Sequence, residues 1–204
     1  ELSGKKSVLT RIENLGLENI LSTDEVEKIT QTIKIKESKG YAFELADASL
    51  DLLIYRSLPN YEQKFELIDF MVIVENKRRS SMGTGWRNDR SEHPILSEAT
   101  IKIKTNDHIM HTAAEGNGPV GALDNAMRKA LIDSFPEINK VRLTDFVVRV
   151  VEGSTGTEAI VRVLIESSDD KEVWTSVGAS SNIIEASWLA LSDSMEWFLI
   201  KNSL

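Results

Sequence analysis

The sequence contains no cysteine, and this absence excludes disulfide bonds and thiolate metal sites from the 204-residue chain. No apolar run approaches the roughly 18–20 residues that a membrane-spanning helix requires, and the first residues do not resemble a signal peptide. Basic residues are outnumbered by acidic ones, 24 against 32, and the formal net charge is −8. This balance argues against nucleic acid or an anionic membrane as the main partner.

Catalytic and metal-binding patterns are also missing from the sequence. Its three histidines, His93, His108 and His111, form no Glu-x-x-His or His-x-x-x-His pair. No Ser/His/Asp order stands out either. We therefore predict neither catalytic residues nor metal ligands in this chain.

Apolar residues make up 41% of the chain, which is enough for a substantial core. The chain begins Glu-Leu-Ser-Gly-Lys, without methionine. We therefore expect a cut inside a longer protein and a cytoplasmic location.

Residues 1–62 read as a small helical linker subdomain. Ser22 followed by Glu25 matches a capping box at the start of a helix. A further helix is predicted to begin near Tyr41 and to stop before Pro59, which cannot continue a helix. These short helices bury little by themselves, so we expect them to pack on another part of the protein.

Residues 63–204 contain an internal repeat. Leu67–Val74 returns as Leu143–Val150 at an offset of 76 residues, with five of eight positions identical. Two further pairs accompany it: Glu98–Ile103 with Glu158–Val163, and Met110–Thr112 with Val173–Thr175, which places His111 opposite Trp174. Alternation in the strands and helical periodicity after them predict a β-β-β-α unit in each half.

The duplication predicts an α+β domain of two β-β-β-α units, 63–138 and 139–204, related by pseudo-twofold symmetry. A three-stranded sheet is too small to be stable alone. In the first strand Phe70 and Val72 alternate with the equally apolar Met71 and Ile73. A strand that is apolar on both sides indicates a helix on one face and another layer on the other, either the partner half or a second subunit. We predict a symmetric homodimer.

The segment 110–131 reads as a strand, a glycine turn and a helix. Gly116 and Gly118 permit close approach of a ligand, and Pro119 suits the first helical position. The helix start is thus a candidate binding site for a carboxylate or phosphate, such as the carboxylate of an amino acid. The alternative is a tight turn with no ligand. The second half carries a serine- and asparagine-rich cap here instead.

A long polar, basic loop, 77–97, interrupts the first half. We expect a surface excursion. A nucleotide- or substrate-binding role for its arginines is the alternative.

Several long motifs resemble the C-terminal regulatory domain of the isopropylmalate/citramalate synthase family, and the resemblance covers nearly the whole chain. The segments that resemble the citramalate synthase branch are Gly40–Ser49, His111–Val120, Ala122–Ala126 and Ile183–Trp188. The basic loop has no counterpart that we can match to the family.

The resemblance implies a parent enzyme that condenses acetyl-CoA with a 2-oxo acid, using a divalent metal in an N-terminal TIM barrel that this chain lacks. It implies a catalytically inactive fragment without a cofactor of its own. The implied roles are homodimerisation and feedback sensing of isoleucine, or of leucine in the isopropylmalate synthase branch. A purely structural dimerisation module is the remaining alternative.

The resemblance also implies an effector site between the glycine turn and a facing strand. Matching positions around the effector carboxylate are Gly116, Asn117, Gly118 and Gly121. Matching positions along the second repeat's first strand are Leu143, Phe146 and Val150. Asp145 and Glu115 are our own candidates for contacting the effector ammonium.

Overall fold

The computed structural model describes residues 4–75, 96–105, 108–151 and 159–203. The helices are α1 (Lys5–Asn14), α2 (Thr23–Ser38), α3 (Asp47–Tyr55), α4 (Pro119–Leu131) and α5 (Ile183–Lys201), with short 3-10 helices at Phe43–Leu45 and Pro136–Lys140. The strands are β1 (Glu66–Glu75), β2 (Leu96–Thr105), β3 (His108–Gly116), β4 (Arg142–Val150), β5 (Val161–Ser168) and β6 (Val173–Ser180). Nearly all of the predicted basic loop lies outside the described residues.

The chain divides into two compact units. We call Phe65–Pro136 the first-repeat unit, and Glu1–Lys64 with Glu137–Leu204 the second-repeat unit. The helical subdomain thus clusters with the second repeat. Among the described residues, no helix has the length and apolar character needed to cross a membrane.

The first-repeat unit is an antiparallel sheet of order β1-β2-β3 with α4 packed on one face. Phe70, Ile101 and Thr112 lie side by side across the three strands. The Thr112 hydroxyl donates a 2.9 Å hydrogen bond to the carbonyl of Ala126 in α4. This face therefore carries the core, and Ala99, Ile101 and Ile103 on β2 are completely buried.

The second-repeat unit repeats this architecture in the order β4-β5-β6, with α5 on one face. Phe146, Ile165 and Ser176 lie side by side across it. The Ser176 hydroxyl donates a 2.7 Å hydrogen bond to the carbonyl of Ala190 in α5. The predicted pair of β-β-β-α units is confirmed.

The register corrects two details of the predicted repeat. Between β1 and β4 the offset is 76 residues, as predicted. In the later strands Ile101 is equivalent to Ile165 and Thr112 to Ser176, an offset of 64. The predicted pairing of Glu98–Ile103 with Glu158–Val163, at an offset of 60, was therefore wrong by four residues. The pairing of His111 with Trp174 was therefore wrong. Trp174 is buried beneath α5 while His111 is exposed, since a shift of one residue moves a strand side chain to the other face.

The N-terminal helices pack on the second repeat through polar anchors. The guanidinium of Arg11 forms two hydrogen bonds, of 2.5 and 2.7 Å, to the Asp51 carboxylate. The same carboxylate accepts a 3.1 Å hydrogen bond from the indole N–H of Trp197. Asp51 is buried. Its paired carboxylate therefore links α3 to α1 and to α5.

The predicted capping box is present, with the Ser22 hydroxyl and the Glu25 carboxylate each bonded to the other's backbone N–H. The helix expected from Tyr41 starts later, at Asp47. The 3-10 helix Phe43–Leu45 occupies the intervening residues and buries Phe43.

Candidate functional site

The glycine turn joins β3 to α4 in the first-repeat unit. Gly118 is the N-cap residue of α4, with φ +158° and ψ 168°, and no side chain caps this helix end. Pro119 is the first helical residue, as the sequence predicts. The N–H groups of Val120 and Gly121 lie in the first turn, where no intrahelical acceptor is available. The turn therefore presents two backbone donors and the positive end of the helix dipole.

The three glycines of this turn have different structural roles. A Cβ on Gly116 would lie 2.2 Å from the backbone nitrogen of Ala122, so β3 and α4 approach each other too closely for any side chain. Cβ atoms on Gly118 and Gly121 would meet nothing within 4 Å. Gly116 thus serves packing, whereas Gly118 and Gly121 leave open space over the helix end.

Side chains on α4 fasten the helix to β3 below the turn. The amide of Asn125 donates a 2.9 Å hydrogen bond to the carbonyl of Glu115. The Lys129 ammonium donates a 3.2 Å hydrogen bond to the carbonyl of Ala113. The side chains of Glu115 and Asn117, both predicted site residues, are exposed.

Two buried polar atoms near the turn have no hydrogen-bond partner among the described residues: the Ser97 hydroxyl and Oδ1 of Asp124. Ser97 pairs with Gly116 in the β2–β3 register. Asp124 lies on α4 one turn beyond the helix start, and its other oxygen accepts a 2.9 Å hydrogen bond from Arg128. A buried carboxylate oxygen without a donor is costly, so this oxygen is an acceptor for a further donor.

Sequence reasoning did not select Ser97 or Asp124. Asp124 falls within a motif that carries the family resemblance, but its position on an amphipathic helix is equally typical of a solvent-facing acid. Only the packing of α4 reveals that one of its oxygens is buried.

The other four predicted site residues lie on β4, in the second-repeat unit. A bulge between Leu143 and Asp145 shifts the register. Leu143 and Phe146 therefore pair with Ser167 and Ile165, whose side chains are both buried.

Val150 follows Phe146 at even spacing and shares this face, but it is 63% exposed at the end of the strand. Asp145 points to the opposite face beside Glu166. Its carboxylate accepts a 2.8 Å hydrogen bond from the backbone N–H of Phe146. The predicted residues thus divide five and four between the first-repeat and second-repeat units.

The equivalent turn of the second repeat is closed by side chains. Asn182 caps α5 and accepts a 2.9 Å hydrogen bond from the Ile184 N–H. The Ser180 hydroxyl accepts a 3.0 Å hydrogen bond from the N–H of Asn182 and donates a 2.5 Å hydrogen bond to Glu185. This helix end, unlike that of α4, has its own cap.

No group of three or more His, Asp or Glu side chains in the described parts of the chain could hold a metal ion.

Comparison with known proteins identifies relatives along the whole chain. The model of the LeuA allosteric (dimerisation) domain matches residues 44–199. An (R)-citramalate synthase from Geobacter sulfurreducens is 42% identical over 202 residues, which are 99% of this chain and 36% of that protein. One from Aquifex aeolicus is 39% identical over 202 residues, with the same coverage of both proteins.

A 2-isopropylmalate synthase from Aquifex aeolicus is also similar, at 25% identity over 202 residues, which are 98% of this chain and 33% of that protein. The chain therefore spans about a third of the length of the curated relatives that it matches.

Proposed function

The chain belongs to the LeuA allosteric (dimerisation) domain family, and we propose that it is the regulatory part of a citramalate synthase-like acyltransferase. In this proposal it forms a homodimer and binds isoleucine as a feedback inhibitor. The parent enzyme would condense acetyl-CoA with pyruvate in a catalytic part that lies outside these residues. The higher identity to proteins named (R)-citramalate synthase than to the 2-isopropylmalate synthase favours isoleucine over leucine.

The open start of α4 is the observation that carries the effector proposal. Gly118 and Gly121 have free space where a side chain would be, and no side chain caps the helix. A carboxylate there accepts hydrogen bonds from first-turn N–H groups and interacts favourably with the helix dipole. The orphan oxygen of Asp124 supplies an acceptor for an ammonium within the same unit.

The second repeat contributes the remaining proposed site residues. Leu143, Phe146 and Val150 provide apolar surface along β4, which suits a branched aliphatic side chain. Asp145 lies on the other face of that strand. We therefore prefer Asp124 to Asp145 as the partner of the effector ammonium.

The proposed dimer surface is the sheet face of the first repeat that α4 leaves uncovered. Met71, Ile73 and Ile109 lie on it and are 54%, 43% and 55% exposed. Exposed apolar side chains grouped on one sheet face mark an interaction surface. A second copy of this chain is the partner that the dimerisation family indicates.

Calorimetric titration of the 204-residue chain with L-isoleucine, L-leucine and L-valine tests the effector proposal. We expect saturable binding of isoleucine only, at one site per chain. The Gly118→Val variant should not bind it, because a β-branched side chain fills the space over the helix start and strains the φ of +158°. The matched control, Gly4→Val, puts the same side chain at the N-cap of α1, where φ is −83° and the space is open, and should bind isoleucine as before.

The outcomes separate the alternatives. Binding of leucine alone would identify a sensor of the 2-isopropylmalate synthase type. A folded dimer that binds none of the three amino acids would contradict the effector site and favour a purely structural dimerisation module. Isoleucine binding by Gly118→Val would place the effector away from the glycine turn.

A further inference from the structure

A cavity lies within the second-repeat unit, between α2, the 3-10 helix Phe43–Leu45, α3 and α5. Its volume is about 200 Å³. One water molecule needs roughly 10–15 Å³ of such space, whereas pockets for drug-sized ligands start at about 300 Å³. The cavity is therefore sized for a small organic molecule. The residues that line it are Thr32, Lys36, Tyr41, Phe43, Ser49, Leu53, Arg56, Ser57 and Asp193.

The acidic side of the cavity is built from α5. Asp193 Oδ1 is 3.0 Å from the Arg56 guanidinium, and Oδ2 accepts a 2.8 Å hydrogen bond from the Ser49 hydroxyl. Only 15% of its side chain is exposed. A carboxylate has about four lone-pair sites, so Asp193 keeps acceptor capacity toward the cavity. Burial is the largest cause that raises the pKa of this carboxyl, and the charges of Arg56 and Lys36 oppose the rise.

The basic side of the cavity is Lys36 of α2. Its ammonium lies 4.4 Å from the centre of the Tyr41 ring, and no ion pair to it occurs among the described residues. Burial is the largest cause that lowers the pKa of Lys36, and the negative charge of Asp193 partly offsets it. A carboxylate from a ligand would give the Lys36 ammonium a direct ionic contact.

The charges of the whole cluster sum to zero. Arg56 is shared between Asp193 and Glu196, the latter at 2.6 Å, and Lys36 supplies the second positive charge. A cluster with no net charge does not favour a purely anionic or purely cationic ligand, because either would leave one charge in excess in the cluster. A zwitterionic ligand can pair its ammonium with the acidic side and its carboxylate with the basic side.

The apolar walls complete the cavity. Phe43 and Leu53 are buried, and the rings of Tyr41 and Phe43 stack with centroids 5.7 Å apart. From these features we propose that this cavity binds a small zwitterionic amino acid. Its carboxylate meets Lys36, its ammonium meets Asp193, and a short apolar side chain lies against Phe43 and Leu53.

This site is independent of the glycine turn, since its residues all belong to the second-repeat unit. Titration of the 204-residue chain with three matched probes tests it: L-2-aminobutanoate, butanoate and 1-aminopropane. We expect saturable binding of 2-aminobutanoate and at least tenfold weaker binding of the other two. Equal or tighter binding of either single-charge probe, or no binding of 2-aminobutanoate, overturns the proposal.

Variants assign the binding to this cavity. Lys36→Met should weaken 2-aminobutanoate binding about tenfold or more, as expected for loss of a charged hydrogen bond. Lys36→Arg should restore most of it. Lys34→Met removes an exposed lysine from the same helix and should change nothing. Asp193→Asn should also weaken binding, with the melting temperature of each variant measured to verify folding.

The result also separates this site from the effector site. If binding of 2-aminobutanoate is lost in Gly118→Val but unchanged in Lys36→Met, the amino acid sits at the glycine turn and the cavity proposal is wrong. If it is lost in Lys36→Met while isoleucine still binds, the chain has two distinct amino acid sites.

Discussion

The two repeats share one architecture but differ in what covers the outer face of the sheet. In the first repeat, Met71 and Ile73 on that face are exposed. In the second repeat, Val147 at the position equivalent to Met71 is half-buried, and Val177 is completely buried. There the helix α3 and the short 3-10 helix pack against β6.

The N-terminal helices also close the edge of the second sheet. The carboxylate of Asp47 accepts a 2.8 Å hydrogen bond from the Thr175 N–H. The Ser49 hydroxyl accepts a 2.9 Å hydrogen bond from the Val177 N–H. Covering an edge strand with a helix removes unpaired backbone donors that could otherwise pair with another chain. The helix of a β-β-β-α unit covers only one face of its sheet. In the second repeat the N-terminal helices cover the other face, whereas in the first repeat a second copy of the chain is the proposed cover.

Exchanging the turn residues tests how closely strand and helix approach each other in each repeat. We expect the largest change in unfolding free energy here. Gly116 and Ser180 are equivalent at the offset of 64. Gly116→Ser places a Cβ 2.2 Å from the Ala122 nitrogen, and such overpacking should cost about 3 kcal/mol of unfolding free energy. Ser180→Gly should cost only about 1 kcal/mol, for its lost hydrogen bonds. Urea unfolding measures both; equal losses would mean that β3 and α4 are not in close contact.

Charge on the outer faces tests their different coverage. Met71→Asp should weaken the proposed dimer about thirtyfold, or about 2 kcal/mol, while leaving the melting temperature of the monomer nearly unchanged. Val147→Asp, at the equivalent position, should lower that temperature by burying an unpaired carboxylate. Sedimentation equilibrium and thermal unfolding separate the two effects. Dimerisation that survives Met71→Asp would move the interface to another surface.

Alkaline pH should act on the second-repeat unit, because all three tyrosines lie in its N-terminal helical part. Burial is the largest cause that raises the pKa of each one above the ordinary value of 10.0. As the pH rises, the phenols therefore lose their protons at a lower pH in the unfolded chain than in the folded chain. Stability should be intact below about pH 10 and should fall as the pH rises toward the folded values.

Tyr61 is the most informative of the three, since its hydroxyl donates to the buried carboxylate of Glu196. Tyr61→Phe should cost about 1.5 kcal/mol at neutral pH and should make the alkaline decline shallower. Absorbance at 295 nm during the titration reports tyrosinate directly. Ionisation of all three phenols at their ordinary pKa, in folded protein, would contradict the described burial.

Sequence periodicity predicted the duplicated units and the capping box, because both depend on local spacing. It could not define the register of the later strands. The error of four residues in the second strand keeps every side chain on its face, and the third strand has too few matching residues to reveal an error of one. The bulge after Leu143 was equally hidden, although it places Leu143 and Phe146 on one face despite their odd spacing. The buried oxygen of Asp124 and the cover over Val177 depend on packing between distant segments, which no local pattern encodes.

The smallest effect concerns the cap that only the second repeat has. Asn182→Gly removes the oxygen that accepts from the Ile184 N–H, and a glycine N-cap costs only a few tenths of a kcal/mol. The variant thereby gives α5 an uncapped start like that of α4. The number of isoleucine molecules bound per chain should nevertheless stay at one in calorimetric titration, because the second turn has no orphan buried carboxylate oxygen among the described residues. A second bound isoleucine would mean that a free helix start alone is sufficient, and that Asp124 has no part in recognition.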